Sequence, residues 1–175
     1  MVEGEKTVLR QINDSDIEVI CKWEAQQHIS ADIFGQINRH LAIKEEYIAL
    51  INARNTKMFA MLTDDGTLIG DIGFVEINWR RGEAELVIGI GHRGYIGKGY
   101  GTDAILTLLK YIFSTTSLNH IYLRVLADNL PAIKCFKKCG FRKSSVITRQ
   151  LEKGQPERKI FLMTIEKQDN GEESH

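Results

Sequence analysis

Disulfide chemistry, proline and net charge are what this sequence has least of. Its three cysteines, Cys21, Cys135 and Cys139, are an odd number and offer no disulfide framework. Cys135 and Cys139 stand four apart and share a face if that segment is helical, which reads as two small, half-buried helix residues. Only two prolines punctuate the chain. The 23 basic and 23 acidic side chains cancel, so no global field recruits nucleic acid or an anionic membrane. No apolar run approaches the length of a membrane span. The first residues, Met1-Val2-Glu3-Gly4-Glu5-Lys6, are polar and acidic, unlike a signal peptide. Five histidines lie scattered at 28, 40, 92, 120 and 175 without ligand spacing, so no metal site is expected. These absences lead to the expectation of a cytoplasmic protein with neither nucleic acid nor membrane as partner.

What is present is ordinary for a globular chain: 175 residues, 43% hydrophobic and 26% charged. One domain over 1–167 is expected, followed by a polar tail, 168–175. Thr7 to Arg10 and Ile12 alternate like a short strand. Asn13-Asp14-Ser15-Asp16 supplies capping chemistry for a helix carrying Ile17, Ile20, Cys21 and Trp23. A second helical pattern runs from Lys44 to Arg54. Met58–Leu62 and Leu68–Ile77 read as a hairpin around Asp64-Asp65-Gly66, the second strand loosened by Gly70 and Gly73. Glu83–Ile90 is a strand, Ile105 to Ile112 a helix, and His120–Leu126 a strand. Asp128-Asn129-Leu130-Pro131 caps a helix that ends at Cys139-Gly140. Val146–Thr148 and Ile160–Ile165 form a last pair of strands. The pattern predicts an α+β fold: a mixed, mostly antiparallel sheet flanked by helices. The crossover makes 84–90 and 120–126 a central parallel pair.

The stretch from Gly94 to Ala104, GYIGKGYGTDA, is where chemistry first shows. A P-loop needs Gly-Lys followed by Ser or Thr, but Gly97-Lys98 is followed by Gly99. Gly89-Ile90-Gly91-His92-Arg93-Gly94 matches the dinucleotide fingerprint literally. However, five further residues precede any helical pattern, and the acidic residue at the end of the next strand, Asp128, comes about forty residues on rather than about twenty. The third reading takes Gly97 to Thr102 as the start of a helix. Its glycines let a ligand approach, and its orphan N–H groups and dipole suit a pyrophosphate. Lys98 adds charge.

Ile96-Gly97-Lys98-Gly99-Tyr100-Gly101 resembles the phosphate loop of the GNAT superfamily of acyl-CoA-dependent N-acetyltransferases, Gln/Arg-x-x-Gly-x-Gly/Ala. Ile96 departs from it. Some thirty residues later, Asn129 to Phe141 resembles that family's Asn-x-x-Ala-x-x-x-Tyr-x-x-x-Gly-Phe segment, with Phe136 in place of tyrosine. The resemblance extends loosely from Thr7 to Ile165 and looks most like the ribosomal-protein-alanine and polyamine acetyltransferase branch. It implies a GNAT-like domain whose parallel pair splays around acetyl-CoA as co-substrate. The implied contacts are Gly97 to Thr102 for the pyrophosphate, and Gly89, Ile90 and Gly91 for the pantetheine, at a strand bulge. Asn129 would lie on the far side of the arm, and Phe136 against the pantetheine or the core.

The acceptor amine must lose a proton before attacking the thioester. Glu85 is the first candidate base and Glu83 the second, both on one face of their strand. A backbone N–H near Ile90 would meet the oxyanion. Phe136 cannot protonate the leaving thiolate, so water or another hydroxyl serves, or the thiolate leaves as such, its thiol pKa being about 8.5. Residues 23–43 and the hairpin around Gly154 are expected to recognise the acceptor, with Glu24, Asp32, Glu45, Glu46 and Glu76 as an acidic site for a cationic amine. The expected reaction is acetyl transfer to a primary amine, of a small molecule or polyamine or of a protein N-terminus, by direct attack in a ternary complex. The alternative is a non-catalytic acyl-CoA-binding module or sensor. A homodimer is an open option.

Overall fold

The computed structural model describes residues 1–26, 43–151 and 153–169. Chain order is β1 (Val2–Glu3), β2 (Thr7–Gln11), α1 (Asp14–Gln26), α2 (Lys44–Ile51), β3 (Lys57–Thr63), β4 (Leu68–Asn78) and β5 (Glu83–Ile90). A short 3₁₀ turn (Arg93–Tyr95) then leads to α3 (Tyr100–Thr115), β6 (His120–Leu126), α4 (Leu130–Lys138), β7 (Arg142–Arg149) and β8 (Arg158–Glu166). Among the described residues the strands form one sheet in the order β1-β2-β3-β4-β5-β6-β8-β7. Every neighbouring pair is antiparallel except β5 and β6. This is the expected α+β arrangement with a central parallel pair.

That parallel pair is short. Its ladder joins Glu83 to His120, Ala84 to Ile121 and Glu85 to Tyr122, and then stops. Beyond it β5 stays with β4 as far as Gly70–Ile90, while β6 stays with β8 as far as Leu126–Ile160. The sheet therefore opens into a V at its centre.

One face of the sheet carries the main core. Along β6, alternate residues Ile121, Leu123 and Val125 are buried, and they pack in one cluster with Ile105, Leu108, Leu109 and Ile112 of α3. On β4, Ile72 and Phe74 join that cluster, so Asp71, one residue before Ile72, points to the opposite face. There the Tyr47 hydroxyl donates to Asp71 at 2.8 Å, beneath a second cluster of Ile17, Ile20, Cys21 and Tyr47. Helices α1 and α2 thus cover one face, α3 and α4 the other.

One glycine reading is corrected. Gly70 does not loosen β4: a Cβ there would lie 2.0 Å from the Gly89 carbonyl oxygen, so glycine permits a close strand approach. The bulge expected at 89–91 falls at the end of that stretch. The β4–β5 ladder runs unbroken from Gly70–Ile90 to Val75–Glu85, and just past it the Gly91 and His92 N–H groups share the Ile69 carbonyl, two residues facing one. A second irregularity lies between Val75 and Asn78, where Glu76 takes a left-handed φ of 51°.

Candidate active site

The V leads directly into the glycine loop. At the end of β5 the N–H groups of Gly91 and His92 both donate to the Ile69 carbonyl, at 3.0 and 3.2 Å. The missing side chain of Gly91 is occupied by the Trp23 ring, whose atoms would lie 2.2 Å from a Cβ there. His92 Nδ1 accepts from the Gly94 N–H and caps the 3₁₀ turn. Three rings then stack edge to face, His92 on Tyr95 at 4.8 Å and Tyr95 on Tyr100 at 5.2 Å. Lys6 ties this stack to the N-terminal strands: its ammonium lies 5.5 Å from the Tyr100 ring centroid and donates to the Lys98 carbonyl at 3.0 Å.

Gly97 and Gly99 adopt left-handed φ values of 71° and 88°, which residues with a Cβ rarely take. Gly99 is the N-cap of α3 and has no side-chain cap. The first turn of α3 consequently presents N–H groups that have no partner within the helix. A Cβ at Gly97 would meet nothing within 4 Å, so open room lies in front of the loop. That room is a cleft of about 320 Å³. One wall is Ile90, Ile96, Gly97, Gly99, Gly101 and Thr102; the other is Pro131, Ala132, Lys134, Cys135 and Lys138 of α4. A larger groove of about 1000 Å³ runs between α3 and β7–β8, past Leu106, Arg142 and Thr164, and contains none of the sequence-predicted residues.

Six of the expected coenzyme residues therefore meet in one cleft: Ile90, Ile96, Gly97, Gly99, Gly101 and Thr102. Others lie elsewhere. Lys98 contributes its carbonyl to Lys6, and the Tyr100 ring belongs to the aromatic stack. Gly89 is paired with Asp71 inside the sheet. Asn129 is the N-cap of α4, accepting from the Ala132 N–H at 3.2 Å. Phe136 is fully buried. The reason is a helix stop: Gly140 takes a φ of 103°, its N–H bonds to the Lys137 carbonyl and the Phe141 N–H to the Phe136 carbonyl. The Phe136 and Phe141 rings pack 6.1 Å apart across that turn. Phe136 thus serves the core and the end of α4.

The second wall went unread in the sequence, although its signal is there. Pro131, Lys134, Cys135 and Lys138 fall at i, i+3, i+4 and i+7, one helical face, opposite the buried Ile133 and Phe136. Cys135 Sγ meets Thr102 Oγ1 at 3.3 Å across the cleft.

The two candidate bases differ sharply. Glu85 is only 3% exposed, and Arg124 donates to both of its oxygens, Nε at 2.9 Å and Nη2 at 3.0 Å. Hydrogen bonding to Glu85 raises the Arg124 guanidinium's affinity for its proton against the cost of burial. Beside them Tyr122 is held above its ordinary pKa, by burial first and then by the Glu85 charge. Glu83 has a looser partner, Arg81 at 3.5 Å, and a partly exposed side chain.

On the α1–α2 side, carboxylates outnumber cations around Cys21. The Cys21 thiol is pushed up by burial, then by the charges of Asp71 and Glu24; Lys44 opposes and Glu45 adds. Asp32 of the expected acidic set, and most of the 23–43 segment, lie outside the described residues.

Comparison with known proteins agrees with this architecture. Residues 6–142 match the acetyltransferase (GNAT) domain. An uncharacterized N-acetyltransferase of Bacillus licheniformis, p20, is 26% identical over 160 residues, covering 86% of each chain. The spermidine N(1)-acetyltransferase of Vibrio cholerae is 31% identical over 101 residues, 57% of each chain. Among solved structures, the Vibrio cholerae spermidine N-acetyltransferase in complex with CoA and spermine superposes with a TM-score of 0.78 at 23% identity, covering 91% of this chain and 95% of that one. The chain belongs to the GNAT acetyltransferase family and is an acetyl-CoA-dependent N-acetyltransferase.

Proposed function

We propose that the chain carries acetyl from acetyl-CoA to the primary amine of a cationic acceptor, by direct attack while both substrates are bound. The observation that carries this reading is the meeting of the V with the glycine cradle in one cleft. Acetyl-CoA supplies the activated thioester. The N–H groups at Gly97 to Thr102, with Lys134 and Lys138 opposite, suit its pyrophosphate. Gly89, Ile90 and Gly91 lie along the approach to the V, where the pantetheine arm belongs, and Asn129 and Phe136 support α4 behind it.

Of the two carboxylates, Glu83 is the better proton acceptor, because both Glu85 oxygens are already engaged. Glu85 and Arg124 would brace the point of the V. A cationic acceptor is favoured by the carboxylates of Asp71 and Glu24 under α1, close to Trp23 and the end of β5. The spermidine enzyme of Vibrio cholerae acts on an acceptor of this class. Loss of the tyrosine at position 136 leaves protonation of the thiolate to solvent.

The test is to incubate the protein with acetyl-CoA and a panel of polyamines, aminoglycosides and N-terminal peptides, following free CoA. Acceptor-dependent release is expected with the polycations. Tight acetyl-CoA binding with no release across the panel would make the chain an acyl-CoA-binding sensor instead.

A further inference from the structure

Cys135 takes no part in the transfer described above, yet its sulfur is built into the cleft wall. It is half-buried on the cleft face of α4, with Thr102 Oγ1 at 3.3 Å from the first turn of α3. Cys139, one turn further along α4, is buried and places its thiol within reach of both the Cys135 sulfur and the Thr102 carbonyl, the latter at 3.9 Å. Lys134 and Lys138 flank Cys135 on the same face and line the same cleft. Two donors, a lysine charge and the start of a helix thus surround one accessible sulfur.

We propose that Cys135 is a thiol modification site that takes a small, negatively charged disulfide, of the class of glutathione disulfide or coenzyme A disulfide. The ionised Cys135 sulfur attacks one sulfur of R–S–S–R. The Sγ–S bond forms, the S–S bond breaks, and R–S⁻ leaves to take a proton from water. Cys135 is oxidised and the departing sulfur reduced, so no other oxidant enters, and excess free thiol reverses the step. The anionic reagent suits a cleft lined by helix-start N–H groups and two lysines.

The three cysteines separate cleanly in their electrostatics. A hydrogen bond from Cys139 lowers the Cys135 pKa; burial opposes it; Thr102 and the Lys138 charge add to it, leaving the value at about 6. Cys139 is pushed upward by its bond to Cys135 and by burial, so it remains the donor. Cys21 is also pushed upward and is buried. Cys139 is not positioned to resolve the adduct. Residues four apart on a helix hold their Cβ atoms about 5–6 Å apart, whereas a disulfide needs roughly 3.5–4.5 Å. While α4 stays helical, the reaction ends at the mixed disulfide.

The adduct would occupy the cleft assigned to the pyrophosphate, a consequence that rests on the proposed coenzyme placement. The experiment separates the two ideas. The native chain is treated with 5,5′-dithiobis(2-nitrobenzoic acid), an anionic disulfide, with and without acetyl-CoA, and the labelled peptides are mapped by mass spectrometry. One fast-reacting thiol is expected, at Cys135, with a rate inflection below the ordinary thiol value of about 8.5. It should react at least tenfold faster than Cys21 and Cys139, and Cys139→Ala should move the inflection upward without abolishing labelling. Equal rates at all three cysteines, or fast labelling at another, would overturn the modification site. Fast labelling of Cys135 that acetyl-CoA does not slow would leave the site standing and overturn the coenzyme placement. Because the mapping uses the unmodified sequence, no variant need fold for the decision.

Discussion

Arg124 grips Glu85 with two parallel hydrogen bonds of 2.9 and 3.0 Å, at the place where β5 and β6 part. Glu85 is the last β5 residue in the parallel ladder, and Arg124 lies two residues past its ladder partner Tyr122. The ion pair therefore bridges the two arms of the V where backbone pairing ceases. Its two-pronged geometry fixes both the spacing and the orientation of the arms.

Removing one partner strands the other in a nearly closed site, which typically costs about 3–5 kcal/mol. Arg124→Met should therefore lower the urea midpoint strongly, and the double variant Arg124→Met/Glu85→Gln should recover part of the loss. The same pair decides who takes the proton. If Glu85 braces rather than catalyses, Glu85→Gln lowers kcat without removing the acidic limb of the pH–rate profile. Glu83→Gln should remove that limb. Loss of the limb in Glu85→Gln instead would return the base to Glu85.

The loop glycines make a separable prediction. Gly99→Ala must place a Cβ at a φ of 88°, a strain of about 1–2 kcal/mol. Gly66→Ala carries the same φ of 88° at a hairpin turn with open space around it, far from the cleft in sequence and absent from its walls. Both variants should lose similar stability in denaturant titrations. Only Gly99→Ala should also weaken acetyl-CoA binding, and Gly99→Asp should abolish it by placing a carboxylate before the cradle.

These positions also show why part of the site could be read early and part could not. Gly97 to Thr102 is contiguous and bound by backbone rules, so the sequence alone marks it as a glycine turn opening a helix. The strands at 83–90 and 120–126 were legible from their apolar runs, and the Cys139-Gly140 stop from its glycine. The Glu85–Arg124 pair was not, since it joins residues 39 apart and no local spacing announces a long-range bond. Phe136 reads from sequence as packing on the pantetheine or the core, and the sequence could not choose, because a helical face carries no label saying which side meets solvent. The start of β7 at Arg142 was hidden for another reason: it is a charged, exposed edge, so the alternation that marks half-buried strands is missing.

Asp103 deserves a test of its own because it joins the N-terminus to the cradle. Its carboxylate accepts from the N–H groups of Glu5, Lys6 and Thr7 at 3.0, 3.0 and 2.9 Å, and from the Thr7 hydroxyl at 2.7 Å. Held there, Lys6 reaches the Lys98 carbonyl and the Tyr100 ring. Asp103→Ala should cost about 2–3 kcal/mol, reduced from the simple sum by partial exposure. Amide exchange at residues 5–7 should accelerate, and acetyl-CoA affinity should fall several-fold although residue 103 does not line the cleft. Unchanged affinity with accelerated exchange would show that the loop holds its shape without Lys6.

The last prediction concerns acid. Asp16 is buried at the start of α1, where burial alone would push its carboxyl up. Arg10, bonded through Nη1 at 2.6 Å and Nη2 at 3.1 Å, together with the Asn13 N–H at 2.9 Å, overcomes that and holds it below the usual carboxylate range. The Asn13 side chain returns the bond to the Asp16 N–H at 3.0 Å, completing a reciprocal cap. A carboxyl lowered in the folded state contributes stability that is fully present above its unfolded pKa of about 3.9 and is lost as pH falls through the folded value. Asp16→Asn should thus be less stable than the parent by about 1–3 kcal/mol at pH 7. The gap should narrow steadily below about pH 4, because there the parent loses the charge that the variant never had. Urea midpoints measured for both proteins from pH 7 down to pH 3 decide it: a gap that stays constant over that range would mean that Asp16 acts only as a cap and its charge contributes nothing.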